Sequence, residues 1–142
     1  MKKQNNIFMM ISALLVLTAC GGPKEYVPYS MTDLCATSSR ADVIVEGDLR
    51  LGDVIVSENK YRIVLAETYD QPKPFLAIGV EIGDGNNQMA QIPDNFKLED
   101  VKILTDDGQV VTDGDRVLVY GSYRGSCLST LTVTVDKIEA VK

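Results

Sequence analysis

Three thiols, Cys20, Cys35 and Cys127, are the residues of this 142-residue chain best suited to chemistry. A thiolate is a nucleophile, a metal ligand or half of a cystine. The rest of the sequence narrows these roles. There is no histidine, so the commonest general base, the usual nitrogen ligand of zinc and the ordinary Ser/His or Cys/His nucleophile pair are all missing. No C-x-x-C, Gly-x-Ser-x-Gly or Gly-x-x-x-x-Gly-Lys-Ser/Thr motif occurs. Gly83-x-Gly85 lacks the third glycine of a dinucleotide loop. Carboxylates cluster at Asp84, Glu99/Asp100, Asp106/Asp107 and Asp113/Asp115. Calcium needs about six to eight oxygen ligands from one suitable loop, and no such spacing is present, whereas Asp is a default turn residue. Nothing selects a pair of acids for glycoside cleavage. The expectation is a protein that is not an enzyme, with no cofactor and no metal site.

Cys20 stands at the end of a leader. Lys2 and Lys3 open it, Ile7 to Leu17 is apolar except for Ser12, and Leu17-Thr18-Ala19-Cys20 closes it. The apolar run is about 11 residues, against about 20 for a membrane-spanning helix, so it reads as a removable signal. This segment resembles the secretion signal of bacterial lipoproteins, with its lipobox. The resemblance implies diacylglyceryl transfer to the Cys20 sulfur, cleavage before Cys20, and acylation of the new amino group by a chain such as palmitate. Each buried methylene contributes about 0.8 kcal/mol, and two or more chains anchor stably.

The domain organisation expected is therefore a signal peptide over 1–19, a lipidated cysteine with a flexible tether over 20–30, and one folded domain over 31–142. The tether, with two glycines and two prolines after Cys20, would reach about 35 Å if extended. Gly21 follows the lipobox where some lipoproteins retained at the inner membrane carry Asp. The expected location is the cell envelope, lipid-anchored, at the outer membrane on its periplasmic side or the cell surface, with the inner membrane as alternative.

Cys35 and Cys127 remain. Two cysteines in a domain outside the cytosol usually pair. Closing a loop of about 90 residues stabilises by roughly 4–5 kcal/mol at most. The alternatives are inert free thiols or a reactive thiol, for which Arg124 lies three residues before Cys127.

The signal carries Lys2 and Lys3 and no acid, so its removal takes the formal net charge from −6 to −8. An anion of this size is repelled by nucleic-acid backbones, so nucleic acid is disfavoured as a partner.

From Asp42 onward the pattern is β. Strands are expected over 43–51, 61–68, 75–82, 116–123 and 128–138. Gly52-Asp53 would turn the chain, or Val54-Ile55-Val56 would continue the strand. Tyr61, Ile63 and Leu65 share one face of the second strand, and Leu76, Ile78, Val80 and Ile82 one face of the third. In the last strand Leu131, Val133 and Val135 are expected to face inward. Met31 to Ser39 reads as a short helix capped by Ser30 or Thr32. Phe96, Leu98, Val101 and Leu104 fit a second short helix or helical turn, and Val110-Val111 an extended piece between turns.

Five strands, with the irregular segment between the third and fourth, are the layout of an OB-fold. The segments Val43-Ile44-Val45-Glu46-Gly47, Gly114-Asp115-Arg116-Val117-Leu118-Val119-Tyr120-Gly121 and Val133-Thr134-Val135-Asp136-Lys137-Ile138-Glu139 resemble the first, fourth and fifth strands of small bacterial OB-fold envelope proteins. The fold class expected is all-β with one short helix or two: a five-stranded OB-like Greek-key barrel, with an open antiparallel β-sandwich as alternative. Gly47 and Gly121 are placed where barrel strands bend.

OB-folds bind ligands on the face of strands two and three and the adjoining loops. The candidate ligand-binding residues are Arg62 and Phe75 on that face, with Tyr120, Tyr123 and Arg124 at its border; the alternative is an ordinary surface. The function expected is a membrane-anchored binding or interaction module for an envelope protein or small ligand. An oligonucleotide-binding domain and a ligand-free spacer are the alternatives.

Overall fold

A computed structural model of the chain describes residues 22–36, 40–57, 59–71, 74–125 and 132–142. Among the described residues nine strands and two 3-10 turns make up the regular structure. They are β1 (Val27–Pro28), η1 (Asp33–Ala36), β2 (Arg40–Ser57), β3 (Lys60–Ala66), β4 (Phe75–Ile82), β5 (Gln88–Met89), η2 (Leu98–Asp100), β6 (Ile103–Leu104), β7 (Val110–Val111), β8 (Arg116–Arg124) and β9 (Thr132–Ala140).

Five strands close a barrel. β2 pairs antiparallel with β3, and β3 with β4. β4 runs parallel to β9, β9 antiparallel to β8, and β8 antiparallel to β2. This is the OB-like order expected, and closure excludes the open sandwich. β2 makes closure possible by changing partners. Arg40 to Asp48 pair with β8, and Asp48 to Ser57 pair with β3. Gly52-Asp53 therefore does not turn the chain: the strand runs on through a register shift between Arg50 and Ile55.

Two glycines make room for the closure. A Cβ on Gly47, beside the handover, would lie 2.5 Å from the Ala66 carbonyl oxygen and 2.5 Å from Met31 Cε. A Cβ on Gly121 would lie 2.2 Å from the Thr134 carbonyl oxygen. Real Cβ contacts never come so close, so both positions need glycine for backbone approach. At Gly121 the β8–β9 register slips, with Tyr120 opposite Lys137 and Gly121 opposite Val135. Asp136 is the extra residue of that bulge.

The alternating faces of β3 and β4 form the core. Tyr61, Ile63, Leu65, Leu76, Ile78 and Val80 are buried, with Val43, Val45, Leu49, Val117, Val119, Val133 and Ile138 from the other staves. Fully burying each large aliphatic side chain contributes about 1.5–3 kcal/mol. Val135, expected inside, is only half-buried; the bulge at Asp136 shifts the parity and Ile138 takes the next inward place. Leu131 lies outside the described residues, as do 128–130 of the expected last strand.

The expected helices shrink to single turns. Within 31–39, only Asp33–Ala36 is helical, and residues 37–39 are outside the described set. The Ser30 cap is present: its Oγ accepts from the Asp33 amide at 3.0 Å. In the second segment η2 is one turn, Leu98 is 43 % exposed, and Ile103, on β6, is the core residue instead. Met89, Val101, Ile103 and Val111 bring this excursion into the core. Asn87, in left-handed conformation at φ 60°, links it to β9 by accepting from the Ile138 amide at 2.8 Å and donating to Asp106 Oδ1 at 2.9 Å. Asn tolerates this conformation better than most residues.

Candidate interaction face

Alternation along β2 and β8 sends one set of side chains outward. Cross-strand register then pairs Arg40 with Arg124, Asp42 with Ser122, Ile44 with Tyr120, Glu46 with Leu118 and Asp48 with Arg116. The result is a stripe with charged ends and an apolar middle. At one end Arg116 Nε donates to Glu46 Oε1 at 2.6 Å, and its Nη1 donates to Asp48 Oδ1 at 2.8 Å and to the Glu67 carbonyl at 3.2 Å.

The segment expected to be a free tether lies across this stripe. Val27 and Pro28 add as a parallel strand to β2 at Val43 and Ile44, and the Tyr29 amide donates to the Ile44 carbonyl at 2.9 Å. Lys24 Nζ donates to Asp136 Oδ2 at 2.8 Å, and the Tyr26 hydroxyl donates to the same oxygen at 3.1 Å. Tyr26 also meets Tyr120 edge to face, a geometry aromatic pairs favour.

Tyr120 is the most engaged residue of the face. Its hydroxyl donates to Glu139 Oε2 at 2.8 Å, and Lys137 Nζ lies 4.1 Å from its ring centroid. Lys137 in turn donates to Glu139 Oε1 at 2.8 Å. These bonds hold the Glu139 carboxyl below the ordinary glutamate range, Lys137 first and Tyr120 second. The Glu139 carboxylate pushes the Tyr120 phenol upward. Tyr26 is raised by burial and by its bond to Asp136. At neutral pH the acid therefore stays ionised and the phenols stay protonated.

Beside the docked segment is an open cavity of about 360 Å³ whose lining includes Tyr29, Met31, Ile44, Glu46, Arg116 and Leu118. Its floor is apolar, at Met31, Ile44 and Leu118, and Glu46 and Arg116 supply polar groups.

The residues singled out in the sequence do not form one site. Arg62 lies on the outer face of β3, opposite Gly79 of β4, and makes no ion pair among the described residues. Phe75 sits at the far end of that face, 37 % exposed and opposite Ala66. Between them Ala77 is covered, at 4 % exposure, and on the other side of Arg62 Lys60 is bridged to Glu81 at 3.9 Å. Among the described residues Phe75 is the one aromatic side chain on this face, a sparse platform for stacking bases. Tyr120 and Arg124 lie on the β2–β8 face instead. Tyr123 is a correction: it is 1 % exposed and belongs to the core, because a three-residue step along a strand reverses the face. Cys20 and Cys127 lie outside the described residues, and for Cys35 only the backbone is described, so neither the lipid site nor the cystine falls within them.

Lys24, Tyr26, Asp136, Lys137 and Glu139 were not anticipated as a cluster. Tyr26 and Tyr29 were the available signal, since two aromatics between glycines and prolines have no use in a solvated linker. The acidic clusters do turn work. Asp113 Oδ1 accepts from the Leu51 amide at 2.6 Å, and its other oxygen accepts from the Tyr69 hydroxyl. Asp115 accepts from the Thr112 amide at 2.7 Å, and Asp100 from the Lys97 amide at 2.9 Å. Asp107 accepts from Thr105 and Gln109, bonds that lower its pKa.

Among known proteins, no family and no curated protein matches this sequence.

Proposed function

We propose that this chain is a bacterial envelope lipoprotein whose OB-like barrel serves, without catalysis, as a binding module for an envelope protein or small ligand. The single observation that carries the reading is the junction of leader and barrel. A lipobox ending in Cys20 is followed, four residues on, by a lysine held to Asp136. Four residues span at most about 14 Å, so an acylated Cys20 would hold the β2–β8 face close to the bilayer surface.

An interaction role is supported by the composition of that face, an apolar floor rimmed by fixed charges, and by the absence of histidine from the chain. The charge of −8 after signal removal and the single aromatic on the β3–β4 face favour a protein or small ligand over an oligonucleotide. The same reading joins Cys35 to Cys127 as a structural cystine.

The experiment is metabolic labelling with a fatty-acid probe in a bacterium making the full-length protein. Labelled protein of mature size is expected, and Cys20→Ala should give unlabelled precursor. Labelling that persists in Cys20→Ala would contradict the reading. For the binding role, a photo-crosslinking residue at Leu118 should form a discrete adduct in the envelope, whereas one at exposed Leu98 should not. Equal behaviour at both positions would favour the spacer.

A further inference from the structure

Arg40 and Arg124 stand directly opposite each other across the β2–β8 ladder, at the end of the outward stripe away from Arg116. Like charges in such a pair destabilise a sheet. Among the described residues Lys24, Lys60, Lys97, Arg116 and Lys137 each pair with a carboxylate. Neither Arg40 nor Arg124 pairs with one among the described residues. Asp42 is the acid nearest along β2 on the same face, and its Oδ1 is taken by the Ser122 hydroxyl at 2.7 Å. One carboxylate beside two guanidinium groups leaves this end of the stripe positive. The two arginines, Asp42, Ser122 and the backbone of their neighbours line an open depression of about 360 Å³.

We propose that Arg40 and Arg124 form a binding site for a phosphate group. Each guanidinium presents a rigid fork of donors, and one carboxylate satisfies one fork. Two arginines at one register position, lining one depression, suit an anion with three or more oxygens and more than one direction of approach, which a phosphate has. Bound phosphate also removes the repulsion that the bare ladder carries. The group arrives either on a soluble phosphoester or in a lipid headgroup. The headgroup source rests on the proposed Cys20 anchor, because the docked segment would hold this face near the bilayer; the site itself does not.

The test is a titration of full-length protein in neutral detergent, following the arginine Nε–H signals by NMR. Inorganic phosphate is one probe; dihexanoyl-phosphatidylglycerol, with dihexanoyl-phosphatidylcholine beside it, is the other. The Arg40 and Arg124 signals should shift together and saturably while Arg62 stays still. Arg40→Gln should weaken the response of Arg124 by about tenfold or more, the loss of a charged hydrogen-bonded pair, and Arg40→Lys by less. Circular dichroism of each variant separates lost binding from lost fold. Saturation by inorganic phosphate alone assigns a soluble phosphoester, and tighter saturation by phosphatidylglycerol assigns a headgroup. If neither probe moves the pair, or if Arg124 titrates identically in folded Arg40→Gln, the site does not exist. Unlipidated protein that still binds inorganic phosphate would overturn the anchor and leave the site standing.

Discussion

Tyr26 meets Tyr120 edge to face, with ring centroids 5.5 Å apart and planes at 87°. The contact joins the segment around Tyr26 to the wall of the barrel. It changes what that segment is. Instead of a slack linker it is a strap, held by a parallel strand pair at Val27–Pro28, by Lys24 on Asp136 and by one aromatic contact.

The strap should come loose when its aromatic is removed. Tyr26→Ala is expected to cost about 1 kcal/mol, the worth of an edge-to-face pair with a solvent-reachable hydrogen bond. Amide exchange at Val27 and Tyr29 should speed up while Val45 and Val119 stay protected. A double-mutant cycle with Tyr120→Leu should give a coupling near this value; additive effects would show that the rings do not interact.

Barrel closure depends on two missing side chains. Gly121→Ala places a Cβ at 2.2 Å from a backbone oxygen that cannot step aside, so a loss of about 3 kcal/mol or more is expected. Gly47→Ala should behave similarly. Gly52→Ala meets nothing within 4 Å and should change stability by less than about 1 kcal/mol. Urea unfolding of the three variants checks the order.

Tyr26, Tyr69 and Tyr120 should ionise late. Glu139 raises Tyr120, Asp113 raises Tyr69, and burial with Asp136 raises Tyr26. A phenol whose folded pKa lies above its unfolded value contributes stability that is complete below about pH 10. That contribution is lost as pH rises through the raised values. Glu139 has the opposite sign: its lowered pKa gives stability present above about pH 4.3 and lost as pH falls through the lowered value. Phenolate absorbance should still be rising above the ordinary tyrosine value, and Tyr120→Phe should remove one group from that late rise. A single phase at the ordinary tyrosine value would contradict the hydrogen bonds.

The thiols of Cys35 and Cys127 should resist alkylation until a reductant is added, and reduction should lower stability by about 2–4 kcal/mol. Two cysteines alkylated in native, unreduced protein would exclude the cystine.

The parts of this fold visible in the sequence are those governed by a strict period of two. Tyr61, Ile63, Leu65 and then Leu76, Ile78, Val80 fall inside because nothing interrupts β3 or β4. The errors follow from interruptions and parity. Tyr123 was placed with Tyr120 although their spacing puts them on opposite faces. Val135 and Ile138 are separated by a bulge whose cause, Gly121 against the Thr134 backbone, lies on another strand. Leu98 and Ile103 exchanged roles because a short irregular run carries helical and extended spacing equally well. The strap has no period at all, since side chains at Lys24 and Tyr26 hold it more than a ladder does. The candidate face was therefore only partly visible: Tyr120 and Arg124 were named, but Tyr26 and Arg40, which meet them, come from the other end of the chain.

The central claim is that the strap begins at an acylated Cys20. Intact mass of the protein extracted from the membranes of a bacterium expressing it is the most direct measurement. A mature chain starting at Cys20 and carrying a diacylglyceryl group, with or without a further acyl chain, is the predicted result. A species retaining residues 1–19, or one with unmodified Cys20, would contradict it.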